Sequence, residues 1–327
     1  MNAKTQFIEM VHPDSVMSDY LALIILEQPQ ETLLHELSLL FPHGEYKIGV
    51  IKRSRSGVES ILKKSQEHNI PIIFLQPQAP TLDKVTKGRS SFSVNLISPG
   101  SSNSADLAAQ FIADPKTTNL SWIGYQTYLT SPQSLAQLQA RYFSPLRLGS
   151  FRENPTAAEP LIRHNSLNLI DLTSIRYSDA PDGLGTSPNG LYAEELCQLA
   201  RYIGVSAHLD AIYMYGYPKE GKSSPVTTRL LAQVLWHLFE SLSTNQNEDP
   251  YAPQQQMLFT PKEVHIGSQD HILHFLYSSQ TERWWIKIVL EDGISHFIPC
   301  GYEEYAAALK GELPATWLRH YQKLNLL

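Results

Sequence analysis

The stretch "LNLIDLTSIRYSDAPDG" at residues 167–183 follows an apolar run with one carboxylate, Asp171, and, two residues later, one hydroxyl, Thr173. Alternate side chains of a β-strand lie on the same face, so these two side chains are expected to point the same way. Aspartates at both positions would suit the two cations of a binuclear metal hydrolase. The threonine at the second position is therefore the feature that needs an explanation.

Other residues could also do chemistry, but their patterns are weak. "SPGSSNSAD" at residues 98–106 is a glycine-containing turn before a predicted helix, which could bind an anion or simply cap the helix. The sequence lacks a nucleophile elbow of the G-x-S-x-G type, and no Asp or His is placed to complete a serine triad. The clusters "HLD" (His208, Asp210) and "HIGSQDHILH" (His265, Asp270, His271, His274) fit no compact zinc motif, so a surface or core role is favoured for them.

Composition narrows the class of protein. The chain has 327 residues, of which 42% are hydrophobic and 18% charged, which suits one large α/β domain with a substantial core. A formal net charge of −6 gives no electrostatic reason to expect nucleic acid as a partner. Two cysteines, Cys197 and Cys300, are too few for a disulfide scaffold. The apolar patch at residues 21–26 is too short to span a bilayer, so we expect a cytoplasmic protein without membrane contact.

Short apolar runs alternate with helical patterns through the middle of the chain. Strands are predicted at residues 46–51, 70–75, 92–98, 120–126, 167–175 and 209–216, and helices at 57–68, 104–113, 131–143, 191–204 and 227–242. This alternation predicts a parallel sheet covered by helices on both faces. Chemistry should then collect where the strands end, at residues 76–80, 98–102, 124–128, 171–176 and 214–218.

Beyond Glu248 the pattern changes. A polar loop precedes two half-exposed strands, "ILHFLYSS" and "RWWIKIVL". A candidate third strand, "HFIPC", and a closing helix, "PATWLRHYQKL", follow them. These segments predict an antiparallel appendage or an extension of the sheet edge. Of the adjacent tryptophans Trp284 and Trp285, which lie on opposite strand faces, one is expected in the core and the other at an oligomer interface.

Several segments resemble one known family, the ureohydrolases, which comprise arginases, agmatinases and formimidoylglutamases. The segments are "IDLTSIRYSDAPDG…NGLYAEELCQLARYIG", "GYQTY" at 124–128, "YFSPLRLGSFRENPTAAEP" at 142–160, "RWWIKI" and "CGYEEY". They look most similar to the formimidoylglutamase-like branch of Bacteroidetes. The resemblance covers residues 45–325 and implies a single domain over residues 1–327, with a divergent segment at 1–45 and C-terminal strands and helix at 255–327.

The resemblance also implies a fold and a cofactor. The fold is the three-layer α/β/α arginase-like fold with a central, mainly parallel sheet of about eight strands. The cofactor of the family is a pair of manganese ions, which activate a bridging hydroxide for attack on a guanidinium or formimidoyl carbon. For residues 1–45 we expect helix and a shortened form of the family's N-terminal region.

When the family's metal-ligand positions are aligned with this sequence, only one of them holds a carboxylate. The family's first ligand, a His, falls near Gln78, and the D-x-H-x-D turn reads "SPGSS", with Ser98, Gly100 and Ser102 at the ligand positions. The closing D-x-D reads Asp171 and Thr173. The glutamate that holds a cationic substrate, in a pattern like "YEYNP", corresponds to Met214 in "YMYGYP".

Thr173 is thus one of several neutral residues at positions where the family carries ligands. Neutral side chains cannot offset the charge of two divalent ions in a partly desolvated cleft. We therefore interpret the chain as a pseudoenzyme of ureohydrolase type, with no catalytic residues, no bound metal and no cofactor. Asp171 would then cap a turn, pair with Arg176 or bind a ligand, and Glu194 and Glu195 would be structural.

Three functions remain open on the sequence. The first is a binding protein whose partner is another protein or another copy of the chain. The second is a metal-dependent C–N hydrolase of formimidoyl or guanidino substrates, which would need ligands from outside the family pattern. The third is a small-ligand sensor that keeps the cleft. An enzyme needs at least four convergent His, Asp or Glu groups, a sensor needs an open pocket, and an interaction protein needs an exposed apolar patch.

Overall fold

The structure of the protein, a computed structural model, describes residues 7–12, 18–28, 30–52, 58–101, 106–163, 165–182, 187–207, 209–218, 222–267, 271–290 and 293–324.

The centre of the molecule is a parallel sheet. In chain order its nine described strands are β1 (Ile8–Met10), β2 (Tyr20–Leu26), β3 (Lys47–Lys52), β4 (Ile72–Gln76), β5 (Phe92–Ile97), β6 (Thr117–Tyr125), β7 (Ser144–Arg147), β8 (Leu167–Asp171) and β9 (Ala211–Tyr215). Their spatial order is β1-β3-β2-β4-β9-β8-β5-β6-β7, and every described pairing is parallel. The predicted parallel sheet is confirmed, with one strand more than expected among the described residues.

Helices cover both faces of this sheet. They are α1 (Glu31–Ser38), α2 (Val58–His68), α3 (Leu82–Thr86), α4 (Leu107–Ala113), α5 (Pro132–Ala140), α6 (Leu148–Glu153), α7 (Ala158–Arg163), α8 (Ala193–Gly204) and α9 (Pro225–Ser243). Helices α1 and α6–α9 share one buried apolar cluster with the sheet, and α2–α5 share a second cluster on the opposite face. This is the predicted three-layer α/β/α architecture.

The N-terminal region differs from the prediction of helix. Strand β2 lies between β3 and β4, where its segment "YLALIIL" is buried on both faces. An apolar run with neighbours on both sides satisfies its backbone in the ladder and its side chains in both cores, so a strand is favoured over a helix here. The helix α1 follows it, so the helical prediction is correct only for that part.

The last part of the chain forms its own small sheet. Strands β10 (Phe259–Ile266), β11 (His271–Ser278), β12 (Trp284–Val289) and β13 (Ser295–Cys300) pair antiparallel in chain order, followed by α10 (Tyr302–Leu309) and α11 (Ala315–Leu324). These elements enclose a third apolar cluster. Of the two alternatives for this region, the antiparallel appendage is therefore the correct one.

The prediction that Trp284 or Trp285 lies at an oligomer interface is wrong for both side chains. Trp284 packs against Tyr305 with ring centroids 4.5 Å apart, and Trp285 lies over the Arg163 guanidinium at 4.4 Å. Arg163 ends α7, is buried, and forms an ion pair with Glu159 at 3.1 Å. The second tryptophan thus joins the small sheet to the helices of the large one.

No helix within the described ranges is long and apolar enough to cross a membrane.

Candidate functional site

A cleft of about 580 Å³ opens at the carboxyl ends of β5, β8 and β9. Its walls come from the turn after β4, the turn after β5, the end of β8 and the last residue of β9. Four of the five segments predicted to line one rim contribute to it, and Leu129, one residue after the fifth segment, contributes as well. Parallel strands place their carboxyl ends at one edge, so residues distant in sequence meet there.

Four of the predicted site residues meet in this cleft: Ser98, Gly100, Asp171 and Thr173. Gln78 is exposed in the turn after β4 and is not among the residues that line the cleft, although its neighbour Ala79 is. Ser102 lies outside the described residues. Met214 is not at the cleft, because its side chain is fully buried in the core on the other face of the sheet.

Asp171 is held by the backbone that follows it. Strand β8 ends at this residue, and one carboxylate oxygen, Oδ1, accepts a hydrogen bond from the Thr173 N–H at 2.9 Å, which caps a short 3-10 turn over Leu172–Ser174. Thr173 therefore reaches the cleft from a turn and not from an extended strand. The prediction that Asp171 caps a turn is confirmed. The alternative pairing with Arg176 is wrong, since Arg176 binds Asp179 at 2.8 Å.

The environment of Asp171 favours its protonated form. Burial raises the pKa of this carboxyl, the hydrogen bonds from Thr173 lower it in part, and the carboxylate of Asp106 raises it further. Asp106 also lines the cleft, where it precedes α4. The cleft therefore contains two acidic side chains that repel each other, and a cation between them would be electrostatically favoured.

Tyr215 is a cleft residue that the sequence reading did not select. It pairs in register with Asp171 and with Gln76, and it is buried at the cleft wall. Burial, with Asp171 and Asp106 adding to it, raises the pKa of the Tyr215 phenol well above its ordinary value. The phenol is therefore a neutral hydrogen-bond donor or acceptor. Strand alternation in "AIYMY" could have identified it, because Met214 and Tyr215 must lie on opposite faces.

At two of the predicted site positions, Ser98 and Gly100, packing or hydrogen bonding explains which residue is present. The Ser98 Oγ accepts a hydrogen bond from the Trp122 indole at 3.0 Å, which fixes the serine in the core at the base of the cleft. Gly100 packs directly against the turn after β6. A Cβ atom there would lie 2.3 Å from the Leu129 carbonyl oxygen and 2.7 Å from the Leu129 Cβ, so the present backbone has no room for any side chain.

The other acidic and histidine side chains considered in the sequence form ordinary structural contacts. Glu195 accepts a hydrogen bond from the Tyr192 N–H at 2.7 Å and pairs with Arg152, so it caps α8 as a structural residue. Asp210 pairs with Arg89 at 2.7 Å and His274 lies 3.4 Å from Glu263. His208 and Asp270 lie outside the described residues.

Solved structures share the arrangement of the large sheet and its helices. Trypanosoma cruzi formiminoglutamase with Mn²⁺ superposes with a TM-score of 0.55 at 11% identity, covering 71% of this chain and 96% of that one. Bacillus subtilis formimidoylglutamase gives 0.57 at 13% identity, covering 73% and 91% respectively. Agmatine ureohydrolase of Thermoplasma volcanium gives 0.52 at 12% identity, covering 69% and 91%.

This chain has an arginase-like fold. No protein-family model matches the sequence, and no curated protein matches it significantly. At identities of 10–13% the structural likeness shows the fold alone.

The arginase-like fold raises the question of whether the cleft could bind two manganese ions. The donor atoms on its described walls do not suit such a pair. Hard divalent cations need several carboxylates with imidazole or further oxygens. The described cleft offers Asp171, whose Oδ1 is engaged by Thr173, and Asp106. Within the described ranges no three His, Cys, Asp or Glu side chains are grouped to hold a metal. Two carboxylates offset less charge than two divalent ions carry, so the described donors do not fit a pair of manganese ions.

Proposed function

We propose that this protein is a catalytically inactive member of the ureohydrolase type, a pseudoenzyme that acts by binding a small cationic molecule in the cleft. The observation that carries the proposal is the pairing of an open cleft of about 580 Å³ with only two acidic side chains on its described walls. Because the cleft is open, a small molecule can enter it, which favours a small ligand over a protein partner.

Electrostatics supports a cation as the ligand. Burial raises the pKa of Asp171, and repulsion from the Asp106 carboxylate adds to this effect. A bound amine, amidine or guanidinium would relieve this repulsion and favour the ionised carboxyl. The Tyr215 phenol, neutral because burial raises its pKa, can accept a hydrogen bond from such a donor. The solved neighbours include an agmatine ureohydrolase, whose name describes a guanidino substrate, and this chain would keep affinity for that class of cation without the hydrolysis.

Residues that replace the family's ligands also fit a binding role. Asp171 and Thr173 fix each other through a hydrogen bond of 2.9 Å, and Ser98 is fixed by Trp122. Side chains held in this way form a rigid wall, which lowers the entropy lost when a ligand binds. We place the protein in the cytoplasm, because both cysteines are buried free thiols.

The proposal is tested by titrating agmatine into the purified protein by calorimetry at pH 5 and pH 8, with succinate as the anionic probe. We expect agmatine to bind more tightly at pH 8 than at pH 5, because the pKa of Asp171 is raised and its ionised fraction grows with pH. We expect succinate not to bind at the cleft. The Asp171→Asn variant should lose most of the agmatine affinity. Asp249→Asn, which removes a carboxylate from the loop after α9, is the matched control. Binding that is unchanged in Asp171→Asn would contradict the proposal.

The competing function is a metal-dependent C–N hydrolase. It would be supported by release of urea from agmatine, or of ammonia from a formimidoyl substrate, that depends on added Mn²⁺. Assays for urea and for ammonia on the same protein samples therefore distinguish a binding protein from a hydrolase. Cross-linking at the concentrations used reports whether the chain assembles with further copies of itself.

A further inference from the structure

A second opening lies at the other end of the same sheet face, and the connection from β4 to β5 explains it. In the spatial order β4-β9-β8-β5, this connection has to cross the faces of β9 and β8. Its only described helix, α3, has five residues. A helix of that length rises about 7.5 Å, whereas strands of five or six residues run about 17–20 Å. One short helix cannot cover both ends of the strands.

The result is a hollow of about 910 Å³ at the amino ends of β8 and β9, which we call the basal hollow. Its floor consists of the first residues of these strands, including Leu167 and Ala211, together with Tyr213. The Tyr213 ring stacks on Phe74 at 4.6 Å with an interplanar angle of 10°, so the aromatic surface is held rigidly. Helix α2 forms the opposite wall.

Basic side chains dominate the edge of the basal hollow. Among the described residues that line it, four are cations and Asp210 is the single carboxylate; the cations are Lys63, Lys84, Lys87 and Arg89. The whole chain carries a net charge of −6, so the sign of the charge is locally reversed. A concave site lined by one sign of charge concentrates counter-ions of the opposite sign. The ammonium group of Lys84 is directed to the carboxyl end of β4, where it donates to the Gln76 amide oxygen and lies 3.9 Å from Glu27.

The ion pairs of Lys63 and Arg89 leave both of these cations able to bind a ligand. Lys63 lies 3.8 Å from Glu67, with both side chains more than half exposed, and Arg89, whose side chain is 24% exposed, binds Asp210 at 2.7 Å. Ion pairs that water reaches contribute little net free energy. A ligand that presents several negative charges at once can therefore displace or extend them, and a guanidinium such as that of Arg89 suits phosphate or carboxylate oxygens.

We propose that the basal hollow binds a small organic anion with two or more negative charges, a phosphate ester or a polycarboxylate. Its charged groups lie against Lys87 and Arg89, and its remaining atoms lie over Tyr213. The site is separate from the acidic cleft and has the opposite charge preference. The segment 79–89 borders both openings, since Ala79 and Thr81 line the cleft and Lys84 and Arg89 line the basal hollow.

The test is calorimetric titration with tripolyphosphate and with citrate at constant ionic strength. Tripolyphosphate stands for phosphate esters and citrate for polycarboxylates, so the tighter probe assigns the ligand class. The double variant Lys87→Gln/Arg89→Gln should weaken binding at least about tenfold, since it removes two cations that would each form charge-assisted hydrogen bonds with the ligand. The control Lys262→Gln/Lys310→Gln removes two exposed charges elsewhere and should change the affinity less than about twofold.

Folding of the variants is checked by circular dichroism. Lys63→Gln/Lys87→Gln leaves the pair of Arg89 with Asp210 intact, and it serves if removal of Arg89 unfolds the chain. The proposal is overturned if neither probe binds at millimolar concentration, or if the hollow and control variants lose affinity equally. Agmatine titration of the same variants should be unaffected, which distinguishes failure here from failure of the cleft proposal.

Discussion

Replacement of Gly100 by alanine tests whether packing, and not only the loss of a ligand, determines the residue at this position. The added Cβ would lie 2.3 Å from the carbonyl oxygen of Leu129, which is backbone and cannot rotate away. The turn that carries this carbonyl is fixed in part by the Leu129 N–H, which donates to the Gln126 carbonyl at 2.9 Å. One of the two backbones must therefore shift.

Overpacking that forces backbone shifts costs about 1–3 kcal/mol. For a chain of 327 residues with about 2.1 cal/mol/K of unfolding entropy per residue, a loss of 2 kcal/mol lowers Tm by roughly 3 °C. The assay is urea denaturation followed by circular dichroism, with Tm from calorimetry. Gly149→Ala in α6 is the matched control, because its nearest atom would be 3.9 Å away and alanine is the better helix former.

We expect Gly100→Ala to be destabilised and Gly149→Ala to be unchanged or slightly more stable. Gly100→His, which introduces the imidazole that the family resemblance implies at this position, should be at least as destabilised as Gly100→Ala. If Gly100→Ala were as stable as the unaltered protein, the contact with Leu129 would not be the reason for glycine, and this account of the position would be refuted.

Three further substitutions test the electrostatics and the join between the two sheets. Asp171→Asn should stabilise the protein at pH 7 more than at pH 4. Because the carboxyl pKa is raised in the folded protein, stability falls as the pH rises from the unfolded-state pKa to the folded-state pKa, and the variant escapes this loss; an equal effect at both pH values would contradict the prediction. Arg163→Met should destabilise the protein by about 1–3 kcal/mol in urea unfolding, since Trp285 loses its contact and Glu159 loses a buried partner but keeps Arg283 at 3.3 Å; a neutral result would contradict the proposed join. Lys323→Met should stabilise at pH 7, with a gain that shrinks between pH 8 and 10.5, because burial lowers the Lys323 pKa to about 8; a gain independent of pH would argue against this.

The large sheet could be predicted because most of its strands are apolar on both faces. Three strands were missed for identifiable reasons. Strand β1 has only three residues. Strand β2 stands in a region without similarity to the family, and its length also suits a short helix. Strand β7 has four residues and contains Pro145, which is tolerated because β7 lies at the edge of the sheet. None of these strands produces a clear periodic signal.

The cleft was predicted in part. Asp171, Thr173 and Ser98 were found because each follows an apolar strand in a segment that resembles the family. Met214 was selected where Tyr215 faces the cleft, and a shift of one residue on a strand moves a side chain to the other face. The contact between Gly100 and Leu129 joins segments separated by a whole strand, and only the folded chain shows it.

Metal content tests the central proposal most directly. The protein is purified without chelator, incubated with excess Mn²⁺, freed of unbound ion, and measured by mass spectrometry alongside a chelator-treated sample. The account predicts that the two samples contain the same background amount of manganese, since the described cleft offers two carboxylates and no group of three metal-binding side chains. One or two Mn²⁺ ions held per chain would contradict the proposal of an inactive ureohydrolase-like protein.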